Sequence, residues 1–347
     1  MKPIRVLIVE DSAVVREHLR RIISADSRLQ VAGMAASGEE ALSVIDRVSP
    51  DVISMDIQLP GIQGLEVTRR IMSYRPTPIV VVSGVGSEEV SLTMQALKAG
   101  ALAVVEKPVS TTHKDYESMA TRLCMQLTIM SEVKVVRQRN NSYGGLSKER
   151  LGGGAALYRL LGVATSTGGP SALMELLTGL GAGFTLPIVV VQHMTPSFMD
   201  GFASWLATVT PMPLQVVADR TLLEAGHVYL APCHRHLVVD GSFAQLDDGA
   251  PVASHKPAAD RLFTSMAVSV GSNGIGVLLT GMGEDGAAGL RELRNAGGYT
   301  IAEDETTDVV YGMPAVAMRI GAASESLPLP DIAPRVRELV APRGEVG

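Results

Sequence analysis

The feature that most constrains the fold is a repeated alternation of short apolar runs with helical patterns in the N-terminal third of the chain. Such an order is typical of a parallel sheet that helices cover on both faces. The predicted strands are Arg5–Val9, Val31–Ala35, Val52–Met55, Ile79–Val82 and Ala103–Val105. The predicted helices are Ser12–Ser24, Glu39–Val48, Leu65–Ser73, Glu88–Ala99 and Lys114–Met130. Five strand–helix units therefore form a first α/β domain.

A second α/β pattern starts at Tyr158. Its predicted strands are Arg159–Ala164, Ile188–Val191, Leu214–Val217, His227–Leu230, Leu237–Val239, Ile275–Leu279 and Tyr299–Ala302. Its predicted helices are Pro170–Leu180, Met199–Ala207, Asp260–Val270, Ala287–Asn295 and Met313–Arg319. The run His227–Asp240 has the pattern of a hairpin, so we expect this sheet to be mixed although mostly parallel.

A polar, Gly-rich stretch separates the two patterns. Residues 138–154 hold clusters of Asn and Gly and show no period, which is typical of a linker. We therefore expect one domain at 1–130, a linker at 131–155 and a second domain at 156–347. The predicted fold class is α/β, with two doubly wound domains: a five-stranded parallel one and a larger, mostly parallel one.

Composition excludes several classes of protein. Hydrophobic residues make up 46% and charged residues 19%, which excludes a disordered chain. The sequence has neither a signal-peptide pattern nor a run of about 18 apolar residues, so we expect a cytoplasmic protein without direct membrane insertion. Cys124 and Cys233 are the only cysteines, too few for a disulfide framework or a zinc site.

Charge is unevenly distributed. Residues 1–155 carry 19 Lys and Arg against 17 Asp and Glu, a net charge of +2. Residues 156–347 carry 11 against 19, a net charge of −8. Because phosphate repels an acidic surface, we expect no nucleic acid as a partner.

Polar residues follow the predicted strands of the first domain. Glu10 and Asp11 follow the first strand, Asp56 the third, Ser83 the fourth and Lys107 the fifth. Functional residues of open α/β sheets lie beyond the carboxyl ends of the strands. Three converging carboxylates need a cation among them, and Mg²⁺ suits such an oxygen-rich site. Asp56 is then a nucleophile toward a phosphoryl group whose oxygens Ser83 and Lys107 hold. A cis peptide bond between Lys107 and Pro108 is also suggested.

This set of residues resembles a response-regulator receiver domain. The resemblance implies a flavodoxin-like fold, Asp56 as the phosphoacceptor, and Glu10, Asp11 and Asp56 as Mg²⁺ ligands. It also implies that Ser83 is the switch hydroxyl and Lys107 the phosphate partner. Glu10 stands where that family more often has Asp, and the switch aromatic usual near the fifth strand is absent from residues 101–105.

Three strand ends of the second domain carry a hydroxyl, an imidazole and a carboxylate. Ser166 lies where the strand after Tyr158 turns into a helix that begins near Pro170, and there backbone N–H groups face a developing oxyanion. His193 and Asp285 follow two further strands. Taken singly, Ser166 suits a helix cap or a phosphate loop, His193 suits a structural histidine, and Asp285 suits a helix cap. Together they supply a nucleophile, a base and an acid that orients the base.

The second domain resembles the chemotaxis protein-glutamate methylesterase family. The matching segments are Ser166-Thr167-Gly168-Gly169, Gln192-His193-Met194, Val228-Tyr229-Leu230-Ala231-Pro232, Asp260 with Leu262-Phe263, Leu279-Thr280-Gly281-Met282-Gly283 with Asp285-Gly286, and Tyr311-Gly312-Met313-Pro314. The sequence departs from that family at several positions. Ala164-Thr165 replaces Gly-Ala, Glu284 replaces Asn, and Glu303 stands where Gln is common.

The resemblance implies a Ser166–His193–Asp285 triad with backbone oxyanion donors at Thr167 and Met282. The activity implied is hydrolysis of glutamate γ-methyl esters on chemoreceptors, with deamidation of receptor glutamines by the same route and no cofactor for the esterase reaction. The expected partners are the cytoplasmic domain of a methyl-accepting chemoreceptor and a histidine kinase that phosphorylates Asp56. We expect a monomer in which the unphosphorylated receiver covers the active-site face.

Three other functions are compatible with parts of the sequence. A transcriptional response regulator shares the receiver but needs a basic DNA-binding module, which the acidic second half lacks. A non-catalytic adaptor has no need of all three triad residue types. The same hydrolase acting in a chemosensory pathway other than motility fits the sequence equally well.

Overall fold

The computed structural model describes residues 2–84, 86–108, 116–133, 135 and 158–341. The chain divides into two compact units, Met1–Asn140 and Asn141–Gly347, and each is described by itself. Most of the predicted linker lies outside the described residues. Among those residues, no helix combines the length and the apolar character that a membrane crossing needs.

The first unit contains a five-stranded sheet in the order β2-β1-β3-β4-β5, with all neighbours parallel. Its strands are β1 (Ile4–Val9), β2 (Leu29–Ala35), β3 (Val52–Met55), β4 (Ile79–Ser83) and β5 (Ala103–Glu106). Its helices are α1 (Ala13–Ala25), α2 (Gly38–Val48), α3 (Gly64–Tyr74), α4 (Ser87–Lys98) and α5 (Tyr116–Met130). The predicted five-stranded parallel fold is confirmed.

Local chemistry explains these elements. β3 and β4 are buried along their whole length, as expected for strands covered on both faces. The side chain of Ser12 accepts a hydrogen bond from Val15 N at the start of α1, and Ser37 does the same for Glu40 N at the start of α2. Such caps satisfy N–H groups that have no partner inside the helix.

One backbone prediction for this unit is wrong. In the described part of the chain the cis peptide bond is Lys256–Pro257, in the second unit, and the bond between Lys107 and Pro108 is not cis. The ordinary trans preference of a bond before proline therefore prevails at the end of β5.

The second unit contains a seven-stranded sheet in the order β15-β14-β13-β6-β7-β10-β8, and all of its neighbours are parallel. Its strands are β6 (Leu160–Thr165), β7 (Ile188–Gln192), β8 (Leu214–Val216), β10 (Val228–Leu230), β13 (Gly274–Leu278), β14 (Tyr299–Glu303) and β15 (Glu325–Leu327). The helices of the unit are α6 (Gly169–Leu180), α7 (Pro196–Val209), α8 (Ala259–Ser269), α9 (Ala287–Asn295), α10 (Met313–Arg319) and α11 (Leu329–Val340).

A separate three-stranded antiparallel sheet corrects the predicted hairpin. It consists of β9 (Thr221–Leu222), β11 (His236–Asp240) and β12 (Phe243–Asp247). The strand that pairs with β11 is β12, across the turn at Gly241, and not β10. Since β10 is fully buried and pairs with β7 and β8, it belongs to the main sheet. The main sheet is parallel throughout, not mixed.

The order of the main sheet positions the functional residues. From β6 at its centre, the chain first continues to β7 on one side and later returns to β13 on the other. Ligands of open α/β sheets bind where the strand order reverses in this way. The residues that follow β6, β7 and β13 therefore meet at one point beyond the carboxyl edge of the sheet.

Candidate active site

Strand register brings Ser166 and His193 next to each other. Thr165 and Gln192 are paired at the ends of β6 and β7, so Ser166 and His193 are the next residues on adjacent parallel strands. His193 N donates to Thr165 O at 3.0 Å. The Gln192 amide Nε2 donates both to Ser166 O, at 2.8 Å, and to His193 O, at 2.9 Å. The side chain of Gln192 thus fixes the two turns relative to each other.

The turn after Ser166 depends on Gly168. Gly168 has φ +82° and precedes α6, and a Cβ atom there would lie 2.8 Å from Val309 Cβ. Only glycine adopts this backbone without strain and without a clash. The tight turn leaves Ser166 partly exposed close to the N-terminus of α6, where the helix dipole favours negative charge.

The loop after β13 packs directly on the turn at Ser166. Thr280 O accepts hydrogen bonds from Ser166 N at 3.0 Å and from Thr165 Oγ1 at 2.8 Å. A Cβ atom built on Gly281 would lie 2.8 Å from Ser166 Cβ. Glycine is therefore needed at position 281 because the two loops approach so closely.

Asp285 is fully buried beside His193. The distance from His193 Nε2 to Asp285 Oδ2 is 2.9 Å, although among the described residues neither ring nitrogen has a well-aligned hydrogen-bond partner. Burial opposes ionisation of this carboxyl, yet His193 and the N–H groups of Asp260 and Ala259 hold the pKa of Asp285 below its usual value. The carboxylate is therefore ionised at neutral pH and faces the imidazole.

Asp285 also caps a helix, but not the one that follows it in sequence. Its two carboxylate oxygens accept hydrogen bonds from Ala259 N at 2.7 Å and Asp260 N at 3.0 Å, at the start of α8. In return, Asp260 Oδ1 accepts from Gly286 N at 3.0 Å and Gly289 N at 2.7 Å, at the start of α9. The reciprocal caps lock the Asp285 loop against α8.

His255 is a neighbour of the site that the sequence did not reveal. Its ring stacks on that of His193, with centroids 4.2 Å apart and an interplanar angle of 5°. Burial, and then the proximity of His193, lower the pKa of His255. His193, His255 and Asp285 could each offer a metal ligand. However, a metal binds in the plane of an imidazole, and the planes of two stacked rings do not converge.

The predicted oxyanion donors occupy the two loops that meet at Ser166. Thr167 follows Ser166, and Met282 follows Gly281. In the described part of the chain, neither backbone N–H donates a hydrogen bond to a protein group. The ring of His236 is buried and bonded to Ala258 N and Ala250 O.

The first unit gathers its predicted acidic residues in the same manner. One carboxylate oxygen each of Glu10, Asp11 and Asp56 lies within 4.8 Å of the other two. Lys107 Nζ lies 2.7 Å from Asp56 Oδ2 and 3.0 Å from Glu10 Oε2. Ser83 is buried at the end of β4, where it pairs in register with Glu106, the residue before Lys107.

The electrostatics of this cluster suit a divalent cation. Burial and the charge of Asp56 raise the pKa of Glu10 to about 7. Although burial opposes the ammonium form, the carboxylates of Asp56 and Glu10 raise the pKa of Lys107 above its usual value. Glu10 Oε2 is buried and makes no well-aligned hydrogen bond among the described residues. A carboxylate oxygen of this kind is consistent with a Mg²⁺ site.

Comparison with known proteins gives matches in both units. A family model described as CheB methylesterase matches residues 161–336, and one described as response regulator receiver domain matches residues 6–114. Protein-glutamate methylesterase/protein-glutamine glutaminase 2 of Paramagnetospirillum magneticum is 49% identical over 348 residues, covering 97% of this chain and 98% of that protein. Protein-glutamate methylesterase/protein-glutamine glutaminase 4 of Myxococcus xanthus is 43% identical and covers 96% of each chain.

A solved structure matches the second unit. The crystal structure of the Thermotoga maritima CheB methylesterase catalytic domain is 35% identical, with a TM-score of 0.50, and covers 53% of this chain and 99% of that one. The matches extend over both units and nearly the whole sequence. The chain therefore belongs to the CheB methylesterase family, with an N-terminal receiver domain and a C-terminal methylesterase domain.

Proposed function

We propose that this chain hydrolyses glutamate γ-methyl esters on chemoreceptors and deamidates receptor glutamines, under the control of its receiver domain. The observation that carries the proposal is the buried carboxylate of Asp285 at 2.9 Å from His193, beside the nucleophile turn that strand register places next to it. A hydroxyl, an imidazole and a carboxylate in this order support acyl transfer. The names of these relatives state the same two activities.

The reaction has two steps. In the first, Ser166 Oγ forms a bond to the ester carbonyl carbon while His193 takes the hydroxyl proton. The bond to the methoxy oxygen breaks, and the proton leaves with methanol. In the second, water attacks the acyl-enzyme, its proton passes through His193 to Ser166, and glutamate is released. For a glutamine the leaving group is ammonia. Asp285 stabilises the imidazolium in both steps.

The oxyanion of each step needs hydrogen-bond donors. We assign this role to the backbone N–H groups of Thr167 and Met282, which lie on the two loops that meet at Ser166. A preorganised donor of this kind contributes about 3 kcal/mol to transition-state stabilisation. The partly exposed position of Ser166 at the start of α6 gives a receptor side chain access to the hydroxyl.

The receiver adds phosphorylation control. Asp56 accepts a phosphoryl group from a histidine kinase, and Lys107 and Ser83 hold the phosphoryl oxygens. Glu10, Asp11 and Asp56 would hold Mg²⁺, which supplies charge neutralisation for phosphoryl transfer when bound. Phosphorylated Asp56 then raises esterase activity, as charge-changing switches commonly do through a two-state element.

The remaining assignments follow the same proposal. The domains extend over 1–130 and 156–347 with a linker at 131–155. The protein is a cytoplasmic monomer, its substrate is the cytoplasmic domain of a methyl-accepting chemoreceptor, and nucleic acid is not a partner. Chemotaxis and another chemosensory pathway use the same chemistry, so the receptor that serves as substrate decides between them.

Methanol release from a methylated chemoreceptor fragment tests the esterase. Ser166→Ala should lower the rate about 10³-fold or more, because the nucleophile is lost. Ser272→Ala, an exposed serine of the same unit, is the matched control and should keep the wild-type rate. Equal methanol release by wild type and Ser166→Ala would remove Ser166 from the mechanism, and no release by either protein would favour an adaptor.

A further inference from the structure

A second buried carboxyl lies behind the nucleophile turn. Glu303 is the last residue of β14, the strand next to β13, and it is fully buried. Its Oε2 accepts a hydrogen bond from Thr280 N at 2.9 Å, and its Oε1 accepts one from Thr307 Oγ1 at 3.2 Å. The catalytic steps above make no use of this side chain.

Thr280 connects Glu303 to the reacting groups. While its N–H is held by Glu303, its carbonyl accepts the hydrogen bond of Ser166 N at 3.0 Å. Its hydroxyl donates to Thr167 O at 2.9 Å and accepts from Val310 N at 3.0 Å. One residue therefore separates the Glu303 carboxyl from the nucleophile and from the loop that contains Met282.

The charges around Glu303 favour its neutral form. Burial, and next the charge of Asp308 on the following loop, raise the pKa of Glu303 to about 8, and Glu175 on α6 acts in the same direction. Burial also raises the pKa of Asp308, to about 6. In the described part of the chain, no basic residue lowers the pKa of Glu303. Near pH 7, Glu303 therefore holds its proton while Asp308 is ionised.

We infer, on the basis of the proposed esterase function, that Glu303 is a positioning residue that must be uncharged for the Ser166 turn to support acyl transfer. An ionised Glu303 would place a negative charge behind Thr280, in a dry environment where charges interact strongly. That charge would oppose the negative charge that develops on the substrate oxygen. It would also strengthen the hydrogen bond that Glu303 accepts from Thr280 N. Thr280 is the residue whose carbonyl accepts the hydrogen bond of Ser166 N.

The pH dependence of methanol release tests this inference. Full-length wild type, Glu303→Gln and Glu305→Gln are compared on the same methylated receptor fragment between pH 6.5 and pH 9. Glutamine has the shape of glutamate and stays neutral. We expect kcat of wild type relative to Glu303→Gln to fall about tenfold between pH 7 and pH 9, since most of a carboxyl with a pKa of about 8 is ionised at the upper value. Glu305 is exposed, so its variant should follow wild type at every pH.

A second variant makes the test independent of the folding of the first. Asp308→Asn removes the charge that raises the pKa of Glu303, so the alkaline fall in kcat should begin at a lower pH than in wild type. If the ratio of the kcat of wild type to that of Glu303→Gln does not change with pH, the role of Glu303 is refuted and the proposed function is not. A wild type that releases no methanol at any pH would refute the proposed function and this role with it.

Discussion

Asp285→Ala should lower stability and activity together, whereas Asp260→Ala should lower stability with only a small effect on activity. Each substitution removes a carboxylate that accepts two backbone N–H groups at the start of a helix, α8 for Asp285 and α9 for Asp260. Only Asp285 also faces His193. The two variants are therefore matched in their effect on helix capping and differ in their effect on the imidazole.

The magnitudes follow from these contacts. Loss of an N-cap acceptor costs about 0.5–2 kcal/mol, and both sites fall at the upper end because the N–H groups they leave behind are buried or partly buried. About 2 kcal/mol corresponds to a fall of roughly 4–8 °C in Tm for a unit of this size. Loss of the carboxylate that orients a catalytic imidazole lowers kcat by about 10³- to 10⁴-fold. Asp260→Ala should lower kcat by less than about tenfold.

Thermal unfolding followed by circular dichroism gives the stability of each variant. Methanol release is then measured at a temperature well below both midpoints, so that both proteins are folded. Similar kcat values for the two variants would refute the assignment of Asp285 to the triad. An unchanged Tm for both would refute the reciprocal caps.

Two further predictions concern the receiver and the nucleophile turn. Asp56→Asn should abolish the stimulation of methanol release by a small-molecule phosphodonor, and chelation of Mg²⁺ should abolish it in wild type, because both prevent phosphoryl transfer. Stimulation of Asp56→Asn equal to that of wild type would remove Asp56 from the mechanism. Gln192→Glu should lower kcat by about 10- to 100-fold with little change in KM, because a carboxylate cannot donate hydrogen bonds to Ser166 O and His193 O, which link the two turns. A wild-type kcat in that variant would show that the register of β6 and β7 positions the turns without the Gln192 side chain.

The proximity of Ser166, His193 and Asp285 could be predicted from the sequence because their positions follow from strand ends. Apolar runs define β6, β7 and β13, and parallel strands end at one edge of a sheet. The register of Thr165 with Gln192 then places Ser166 beside His193. The same reasoning found Glu10, Asp56 and Lys107 in the receiver.

Contacts between loops could not be predicted in this way. His255 lies in a stretch without a helix or strand of its own, so no period marked it as a neighbour of His193. Taken singly, Asp285 suits a cap of the helix that follows it, but the helix it caps is α8, which precedes it in sequence. The choice between these helices depends on how the loop packs, which local propensity does not determine.

Two errors in the fold have local causes. The hairpin predicted at His227–Asp240 overlooked the Gly241-Ser242 turn signal, which joins β11 to β12. Helix α11 was missed because Pro334 lies inside it and argues against a helix. The helix forms nevertheless because it packs on α6, where a Cβ atom built on Gly179 would lie 2.8 Å from Ala333 Cβ.

The placement of β6 between β7 and β13 has a consequence for biosynthesis. A ribosome-bound chain that has just completed β7 already contains the hydroxyl and the imidazole, but the carboxylate is added only after β13 has been synthesised and has docked against β6. With the triad proposed above, the nascent protein is unable to hydrolyse esters until the segment that contains Asp285 has emerged. Synthesis itself thus delays the appearance of an unregulated hydrolase, because the receiver is complete long before the catalytic centre.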